Sequence, residues 1–275
     1  MPVAHINGVD LYYELYGANQ PPGEPLLLVH GYTGDVTDFR FQIAEFSRTH
    51  RVLVFDHRGH GRSQAPTERT AYTIEQMADD VETLAAHVGF ERYHLLGHSM
   101  GGAVVQEVAL RAPERLMSLT LHDSGNRPAE RAGTLAAIIA STHQIAEDQG
   151  MAAVAALYAM LPAGNMPAER REAERVRLTN MSVDAYIGAW GALEKWQGSV
   201  GRASAITVPT LVIYGENDGS FLVDAARELA AEIPGAVLEM VAGAGHSPQY
   251  ECPEVFNEAL RRHLERNAES RAVRG

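Results

Sequence analysis

The residues that could do chemistry centre on a serine between two glycines, in the pentapeptide G-H-S-M-G at Gly97–Gly101. The apolar run Tyr93–Leu96 before it is typical of a buried strand, and the run Gly102–Arg111 after it is typical of a helix. A serine at such a strand–turn–helix junction has a strained backbone and a hydroxyl directed into a cleft. We therefore predict that Ser99 is a nucleophile and that the backbone N–H of Met100 stabilises an oxyanion.

A serine hydroxyl is a weak nucleophile at neutral pH, so it needs a base, and the base needs an orienting carboxylate. His246 lies in a glycine-rich loop, G-A-G-H-S-P, between the predicted strand Val237–Val241 and the last predicted helix. A loop in that position can carry an imidazole over the serine. We expect His246 to be the general base.

Three carboxylates are candidates for the orienting acid. Asp218 follows the apolar strand Thr210–Tyr214 and comes three residues after a glycine. Ligand sites in open parallel sheets lie at the carboxyl ends of strands, which favours Asp218. Asp123, at the end of the preceding predicted strand, is the main rival, and Glu216 is a weaker one.

Together these motifs resemble those of the α/β-hydrolase family, and they span nearly the whole chain. The segment His30–Gly34, H-G-Y-T-G, is similar to the family's oxyanion loop, and Asp56–Ser63 is similar to its D-x-R-G-x-G-x-S loop. The resemblance implies a second oxyanion donor at the backbone N–H of Tyr32. The resemblance also implies that the Asp56–Ser63 loop has a structural role and not a catalytic one.

Within this family the chain most resembles small bacterial carboxylesterases, enol-lactonases and carbon–carbon bond hydrolases. Cofactor-free haloperoxidases of the family have the same triad. The haloalkane dehalogenases and epoxide hydrolases of the same family carry aspartate at the position where this chain has Ser99. The resemblance therefore disfavours those two activities.

Strands and helices alternate along most of the sequence, which predicts a mostly parallel sheet with helices on both faces. The resemblance implies an α/β-hydrolase fold with eight strands and a helical cap. The alternation stops after residue 124, where the sequence predicts helices over 135–160, 168–180 and 182–196. The predicted parts are a hydrolase core over 1–124 and 205–270, a cap insertion over 125–204 and a tail over 271–275.

The predicted cap is rich in methionine and aromatic residues, which indicates an apolar and adaptable pocket. In the family this segment roofs the active site. The predicted pocket residues are Met151, Tyr158, Met160, Trp190 and Phe221.

Composition limits the partners of the protein. Its 275 residues, 45% of them hydrophobic, suit one globular unit, and the net charge of −12 argues against nucleic acid or an anionic membrane. A single cysteine, Cys252, excludes an internal disulfide, and neither a signal peptide nor a membrane span is predicted. We expect a cytoplasmic monomer or homodimer that acts on a small-molecule substrate without a metal or organic cofactor.

The sequence thus predicts a serine hydrolase that cleaves an ester or lactone through an acyl-enzyme. Arg127 and Arg131 could face an anionic substrate, but the sequence places no arginine clearly inside the predicted pocket, where it could bind an anion. We therefore expect a neutral, largely apolar substrate. The alternatives are cleavage of a carbon–carbon bond next to a ketone, perhydrolysis of the haloperoxidase type, and a non-catalytic ligand-binding protein, against which the complete triad argues.

Overall fold

A computed structural model describes residues 2–17, 23–128, 134–160 and 167–272. Its centre is one eight-stranded sheet with the spatial order β1-β2-β4-β3-β5-β6-β7-β8. The strands are β1 (Val3–Ile6), β2 (Val9–Tyr16), β3 (Pro25–Val29), β4 (Arg51–Phe55), β5 (Tyr93–His98), β6 (Leu116–His122), β7 (Thr210–Gly215) and β8 (Val237–Val241). β2 pairs antiparallel with both β1 and β4, and the strands from β3 to β8 pair in parallel. The predicted fold class is confirmed.

Helices cover both faces of the sheet. They are α1 (Arg40–Phe46), α2 (Ile74–His87), α3 (Met100–Arg111), α4 (Thr134–Gln149), α5 (Met151–Met160), α6 (Ala168–Asn180), α7 (Val183–Lys195), α8 (Ser220–Glu232), α9 (Pro248–Glu251) and α10 (Pro253–Ala272). Successive side chains of a strand point to opposite faces, so both faces of a covered parallel sheet must be apolar. In β3, Leu27 and Val29 pack into the core shared with α2 and α3, whereas Leu26 and Leu28 pack into the core shared with α1 and α10.

Helices α4 to α7, which we call the cap helices, lie in the segment predicted as the cap. The sequence predicted one helix over 135–160, but the structure has two, because the chain turns at Gly150. Its φ is +82°, a backbone conformation that glycine adopts without steric cost. The side chain of Ser182 accepts a hydrogen bond from the backbone N–H of Ala185 and thereby caps the start of α7.

Buried ion pairs hold the cap helices to the core. Arg170 and Arg177 of α6 both contact Asp38, which precedes α1. Burial alone would raise the pKa of Asp38, but the two guanidinium groups hold it well below its usual range. Among the helices that the structure describes, none has both the length and the apolar run that a bilayer crossing requires.

The topology brings four chain segments to one place. Strands β5, β6, β7 and β8 are neighbours in the sheet and parallel, so their carboxyl ends lie side by side. Ser99 follows β5, Asp123 follows β6, Asp218 follows β7 and His246 follows β8. Every predicted triad residue and the rival acid are therefore carried by adjacent strands at the same edge.

Candidate active site

Ser99 occupies a tight turn between β5 and α3. Its φ of +52° is in the left-handed region, which costs a residue other than glycine free energy. A Cβ on Gly97 would lie 2.4 Å from the carbonyl oxygen of Gly101, and one on Gly101 would lie 2.4 Å from that of Val29. The flanking glycines are thus needed because strand and helix approach too closely for any side chain.

Ser99, His246 and Asp218 form a continuous hydrogen-bonded chain. The Oγ of Ser99 lies 3.0 Å from Nε2 of His246, and Nδ1 of His246 lies 2.9 Å from Oδ2 of Asp218. Oδ1 of Asp218 accepts a hydrogen bond of 2.7 Å from the backbone N–H of Gly219. The arrangement orients Nδ1–H of the imidazole toward the carboxylate and leaves Nε2 to accept the proton of the serine hydroxyl.

The charges of these three hydrogen-bonded residues make the imidazole of His246 more basic. Desolvation in the cleft acts to lower the pKa of His246, but the Asp218 carboxylate outweighs it and raises this pKa above the usual histidine value. Burial acts to raise the pKa of Asp218, and the facing imidazole, with further hydrogen bonds, lowers it instead. The carboxylate of Asp218 is therefore ionised at neutral pH and can stabilise a positive charge on the imidazole of His246.

The rival acids hold other positions. Asp123 is fully buried, and its Oδ1 accepts a hydrogen bond of 2.9 Å from the backbone N–H of Gly215. One of its oxygens lies within 4.8 Å of a carboxylate oxygen of Asp218, and Asp218 is the carboxylate that bonds to the imidazole. Glu216 is exposed and accepts a hydrogen bond of 2.9 Å from the backbone N–H of Gly243, so it supports the adjoining loop.

Within the described ranges, Asp123, Asp218 and His246 have the spacing of a possible metal site, with ligand atoms within 4.8 Å of one another. Nδ1 of His246 and Oδ2 of Asp218 are hydrogen-bonded to each other. A cation would have to displace that hydrogen bond, so the arrangement suits proton transfer better than metal binding.

The two predicted oxyanion donors flank the serine. Met100 is the first residue of α3, so its N–H has no acceptor within the helix. The loop that carries Tyr32 is close enough for a Cβ on Gly31 to lie 3.1 Å from Cβ of Ser99. His30 secures that loop, because its Nδ1 donates to the carbonyl of Gly31 at 2.8 Å.

The second loop predicted from the motifs braces the first one. Asp56 accepts hydrogen bonds of 2.8 Å from the backbone N–H groups of Val36 and Arg62. Arg58 forms a buried bidentate pair with Asp80, both bonds being 2.8 Å long. These side chains are occupied with local backbone and with α2, as the sequence predicted for a structural loop.

The amino-acid sequence matches the family model of the alpha/beta hydrolase fold over residues 24–253. The chain belongs to the α/β-hydrolase family. A relative from Azorhizobium caulinodans, named "Putative carbamate hydrolase RutD", is 31% identical over 266 residues, which cover 94% of this chain and 97% of the relative.

Two solved structures are also similar to this α/β-hydrolase. The enol-lactonase from Burkholderia xenovorans LB400 is 28% identical, with a TM-score of 0.85 over 96% of this chain and 100% of its own. A thermophilic esterase from Thermogutta terrifontis is 28% identical, with a TM-score of 0.82 over 94% of each chain. These similarities, together with the family, make the protein a hydrolase.

A cavity of about 250 Å³ opens above Ser99 in this α/β-hydrolase, between the sheet edge and the cap helices. Its wall is mainly apolar. The apolar residues that line it are Met100, Ala103, Ile139, Trp190, Leu193, Trp196, Phe221 and Leu222. Ser99 and His246 also line this cavity, so a molecule bound in it would lie next to both side chains.

Three of the five predicted pocket residues, Tyr158, Trp190 and Phe221, line the cavity. The prediction is wrong for the two methionines. Met160, the last residue of α5, has a side chain that is 82% exposed. Met151 packs inside the cap, in an apolar cluster with Leu178 of α6, and is absent from the cavity wall.

The sequence prediction missed several residues of the cavity wall. Leu193 lies three residues after Trp190 on α7 and therefore on the same helix face, which the spacing could have indicated. Ala103 lies one turn into α3, on the face that Met100 also presents. Ile139 had no local signal, because only the packing of α4 brings it to the cavity.

One cation of this α/β-hydrolase lies at the cavity mouth. Arg127 lines both the cavity and an adjoining polar groove, and it pairs with Glu228 at 2.8 Å. Both side chains are about half exposed, so the pair is a weak, solvent-screened one. Arg131, the other cation considered from the sequence, lies outside the described residues.

Proposed function

We propose that this α/β-hydrolase is a serine hydrolase that cleaves a neutral ester or lactone with a largely apolar acyl group through an acyl-enzyme. The observation that carries the proposal is the hydrogen-bonded chain from Ser99 through His246 to Asp218, with its nucleophile facing an apolar cavity. Such a constellation is recognised by its geometry and roles rather than by chain order alone.

In the proposed mechanism, His246 takes the proton of the Ser99 hydroxyl as the oxygen attacks the substrate carbonyl. Asp218 keeps the imidazole in the tautomer with a proton on Nδ1 and stabilises the imidazolium that forms. The backbone N–H groups of Tyr32 and Met100 stabilise the oxyanion of the tetrahedral intermediate.

His246 then donates its proton to the leaving alcohol, and the acyl group stays on Ser99. In the second half, the neutral imidazole removes a proton from water, and the water oxygen attacks the acyl-enzyme. The bond between the acyl carbon and Oγ of Ser99 then breaks, His246 returns the proton to that Oγ, and the acid leaves. The bonds broken and formed balance without a co-reactant other than water, because each proton taken by the imidazole is returned within the same half-reaction.

The cavity supports an apolar acyl group of small to medium size. Its volume of about 250 Å³ and its wall of aliphatic and indole side chains provide favourable transfer free energy for methylene groups. The indole N–H groups of Trp190 and Trp196 are already bonded to Glu194 and Glu107, so they offer the substrate no free donor.

A carbamate is the second candidate substrate. The relative from Azorhizobium caulinodans, which matches this chain over 97% of its length, has the name "Putative carbamate hydrolase RutD". The same attack on a carbonyl would release an alcohol or amine. Carbon–carbon cleavage and perhydrolysis remain as further alternatives from the sequence, since they use the same triad.

The test is a panel of p-nitrophenyl esters of graded chain length, with a γ-lactone, an aryl carbamate, a vinylogous diketone and a peracid assay beside them. We expect esters or the lactone to give the highest kcat/KM, with burst kinetics from the acyl-enzyme. Ser99→Ala is the control for background hydrolysis. A best substrate that is a carbamate or diketone, or turnover that survives Ser99→Ala, would overturn the proposal.

A further inference from the structure

Two aspartates meet beside the imidazole, at the carboxyl ends of β6 and β7. A carboxylate oxygen of Asp123, one of Asp218 and a ring nitrogen of His246 all lie within 4.8 Å of one another. The side chain of Asp123 is 0% exposed and that of Asp218 is 5% exposed. Two ionised carboxylates this close repel each other strongly where little water screens them, which favours a single proton on the pair at neutral pH.

The donors around the two groups decide where that proton resides. Asp218 accepts hydrogen bonds on both oxygens, from Gly219 N–H and from Nδ1–H of His246, and it faces the ring that becomes positive during turnover. Asp123 accepts from Gly215 N–H on Oδ1, and its Oδ2 lies 3.2 Å from Nδ1 of His122. The anionic form is better stabilised at Asp218.

His122 gives Asp123 no cationic partner. Its ring is fully buried and stacks on His98 with centroids 4.4 Å apart and planes 12° apart. Burial, together with the neighbouring imidazoles, lowers the pKa of His122 well below its usual value, so the ring is neutral. Nδ1–H of a neutral His122 can donate to Oδ2 of Asp123 while that oxygen carries a proton.

We propose that Asp123 is a neutral carboxylic acid whose O–H donates a hydrogen bond to Asp218, so that it positions the carboxylate that orients His246. Burial, then the charge of Asp218, raise the pKa of Asp123 well above its usual value. Asp123 has a φ of +47°, and its side chain reaches β7, where Oδ1 accepts the hydrogen bond from Gly215 N–H. The catalytic consequence rests on the function proposed above.

A neutral Asp123 would act on the Asp218 carboxylate differently from an ionised one. It fixes the Asp218 carboxylate without adding a second negative charge beside the imidazole. Other acidic groups already raise the pKa of His246, namely Glu251 of α9 and Glu174 of α6, and Asp38 acts on the neighbouring His98. A further charge on Asp123 would stabilise the imidazolium and reduce the fraction of neutral base at neutral pH.

The first test is the pH profile of kcat/KM for Asp123→Asn, a substitution that keeps an N–H donor, a carbonyl acceptor and tolerance of positive φ. If Asp123 is neutral, the acidic limb moves by less than about 0.3 pH unit and kcat/KM stays within about tenfold of wild type. If Asp123 is ionised, the variant loses a negative charge, and the limb moves to lower pH by about one unit or more. That second result would overturn the proposal.

Asp123→Ala is the matched variant without a donor. We expect kcat to fall by about 10- to 100-fold with little change in KM, because Asp218 is less well positioned. The acidic limb should move to higher pH, since a carboxylate without its donor stabilises the imidazolium more strongly. A limb that moves to lower pH in this variant speaks against a neutral Asp123.

A measurement without turnover separates this inference from the proposed function. Carbon-13 NMR of protein labelled at the aspartate carboxyl carbons, assigned with Asp123→Asn, reads protonation directly. We expect the Asp123 resonance to have its protonated position at pH 7, even in a protein that hydrolyses no ester. A resonance that titrates near pH 4, as an ordinary aspartate does, would contradict the proposal whatever the substrate proves to be.

Discussion

Nε2–H of His98 donates a hydrogen bond of 2.8 Å to the backbone carbonyl of His246. Burial, with the neighbouring His246 imidazole, lowers the pKa of His98 to about 3, so its ring is neutral at any pH at which the enzyme would work. The residue that directly precedes Ser99 thus holds the loop of the base. This hydrogen bond from the end of β5 helps to fix the distance between nucleophile and base, beside those that Glu251 accepts from the backbone N–H groups of Gly245 and Ser247.

We therefore expect His98→Ala to lower kcat by about 10- to 100-fold with little change in KM, because the imidazole loses its fixed position while the cavity is unchanged. His98→Gln, which restores an N–H donor, should recover part of the loss. His87→Ala, at an exposed site on α2, is the control. Equal kcat values for the alanine and glutamine variants would argue against a role for this hydrogen bond.

Because the backbone of Ser99 is strained, two substitutions there should have the same effect on activity and different effects on stability. Ser99→Ala should reduce turnover by ~10⁴–10⁶-fold and retain the fold, because it removes the nucleophile alone. Ser99→Gly should be equally inactive but more stable than Ser99→Ala by about 1 kcal/mol, since glycine adopts φ +52° without strain. Urea unfolding measures both variants. An alanine variant within tenfold of wild-type activity would exclude Ser99 as nucleophile.

The pH dependence follows from the ion pair at the base. Because only a neutral imidazole accepts a proton, kcat/KM should fall as pH decreases through the pKa of His246, which Asp218 raises above its usual value. Asp218→Asn should lower activity roughly 10³–10⁴-fold and move this acidic limb to lower pH. Glu216→Gln, which changes an exposed acid nearby, should do neither. Similar losses in both variants would place the orienting charge elsewhere.

The cavity should determine acyl-chain preference. Each methylene that enters an apolar cavity is worth about 1 kcal/mol, so kcat/KM should rise about fivefold per carbon until the cavity is full. Phe221→Ala widens the mouth and should move the best acyl length upward. Met160→Ala, at a side chain that is 82% exposed, should leave the whole series unchanged. A shift of the preferred length in the Met160 variant would mean that α5 moves onto the substrate.

The charge of the substrate is tested at Arg127. If neutral substrates are preferred, Arg127→Gln should change kcat/KM by less than about twofold, as expected when a solvent-screened pair is lost. A matched set of esters with and without a terminal carboxylate measures this. If the carboxylate ester proves best, and its KM rises at least tenfold in Arg127→Gln, Arg127 binds an anion and the expectation of a neutral substrate is wrong.

The sequence predicted the sheet and the meeting of Ser99, His246 and Asp218 because local signals were sufficient. Each of these residues follows a short apolar strand, and parallel strands end at the same edge. The cavity wall was less predictable. Whether Trp190 or Met160 faces the cavity depends on how each helix packs against its neighbours, which the sequence of one helix does not show. The proximity of Asp123 to Asp218 likewise follows only once the order of the strands in space is known.

Trp190 and Trp196, the two tryptophans of the chain, both lie in the cavity wall. Their indole N–H groups are held by Glu194 at 2.9 Å and by Glu107 at 2.7 Å, so neither ring is free to turn. The indole fluorescence of the whole protein therefore comes from that wall. A molecule that displaces water there alters the emission of both indoles, so the unlabelled enzyme can report optically when its cavity is filled.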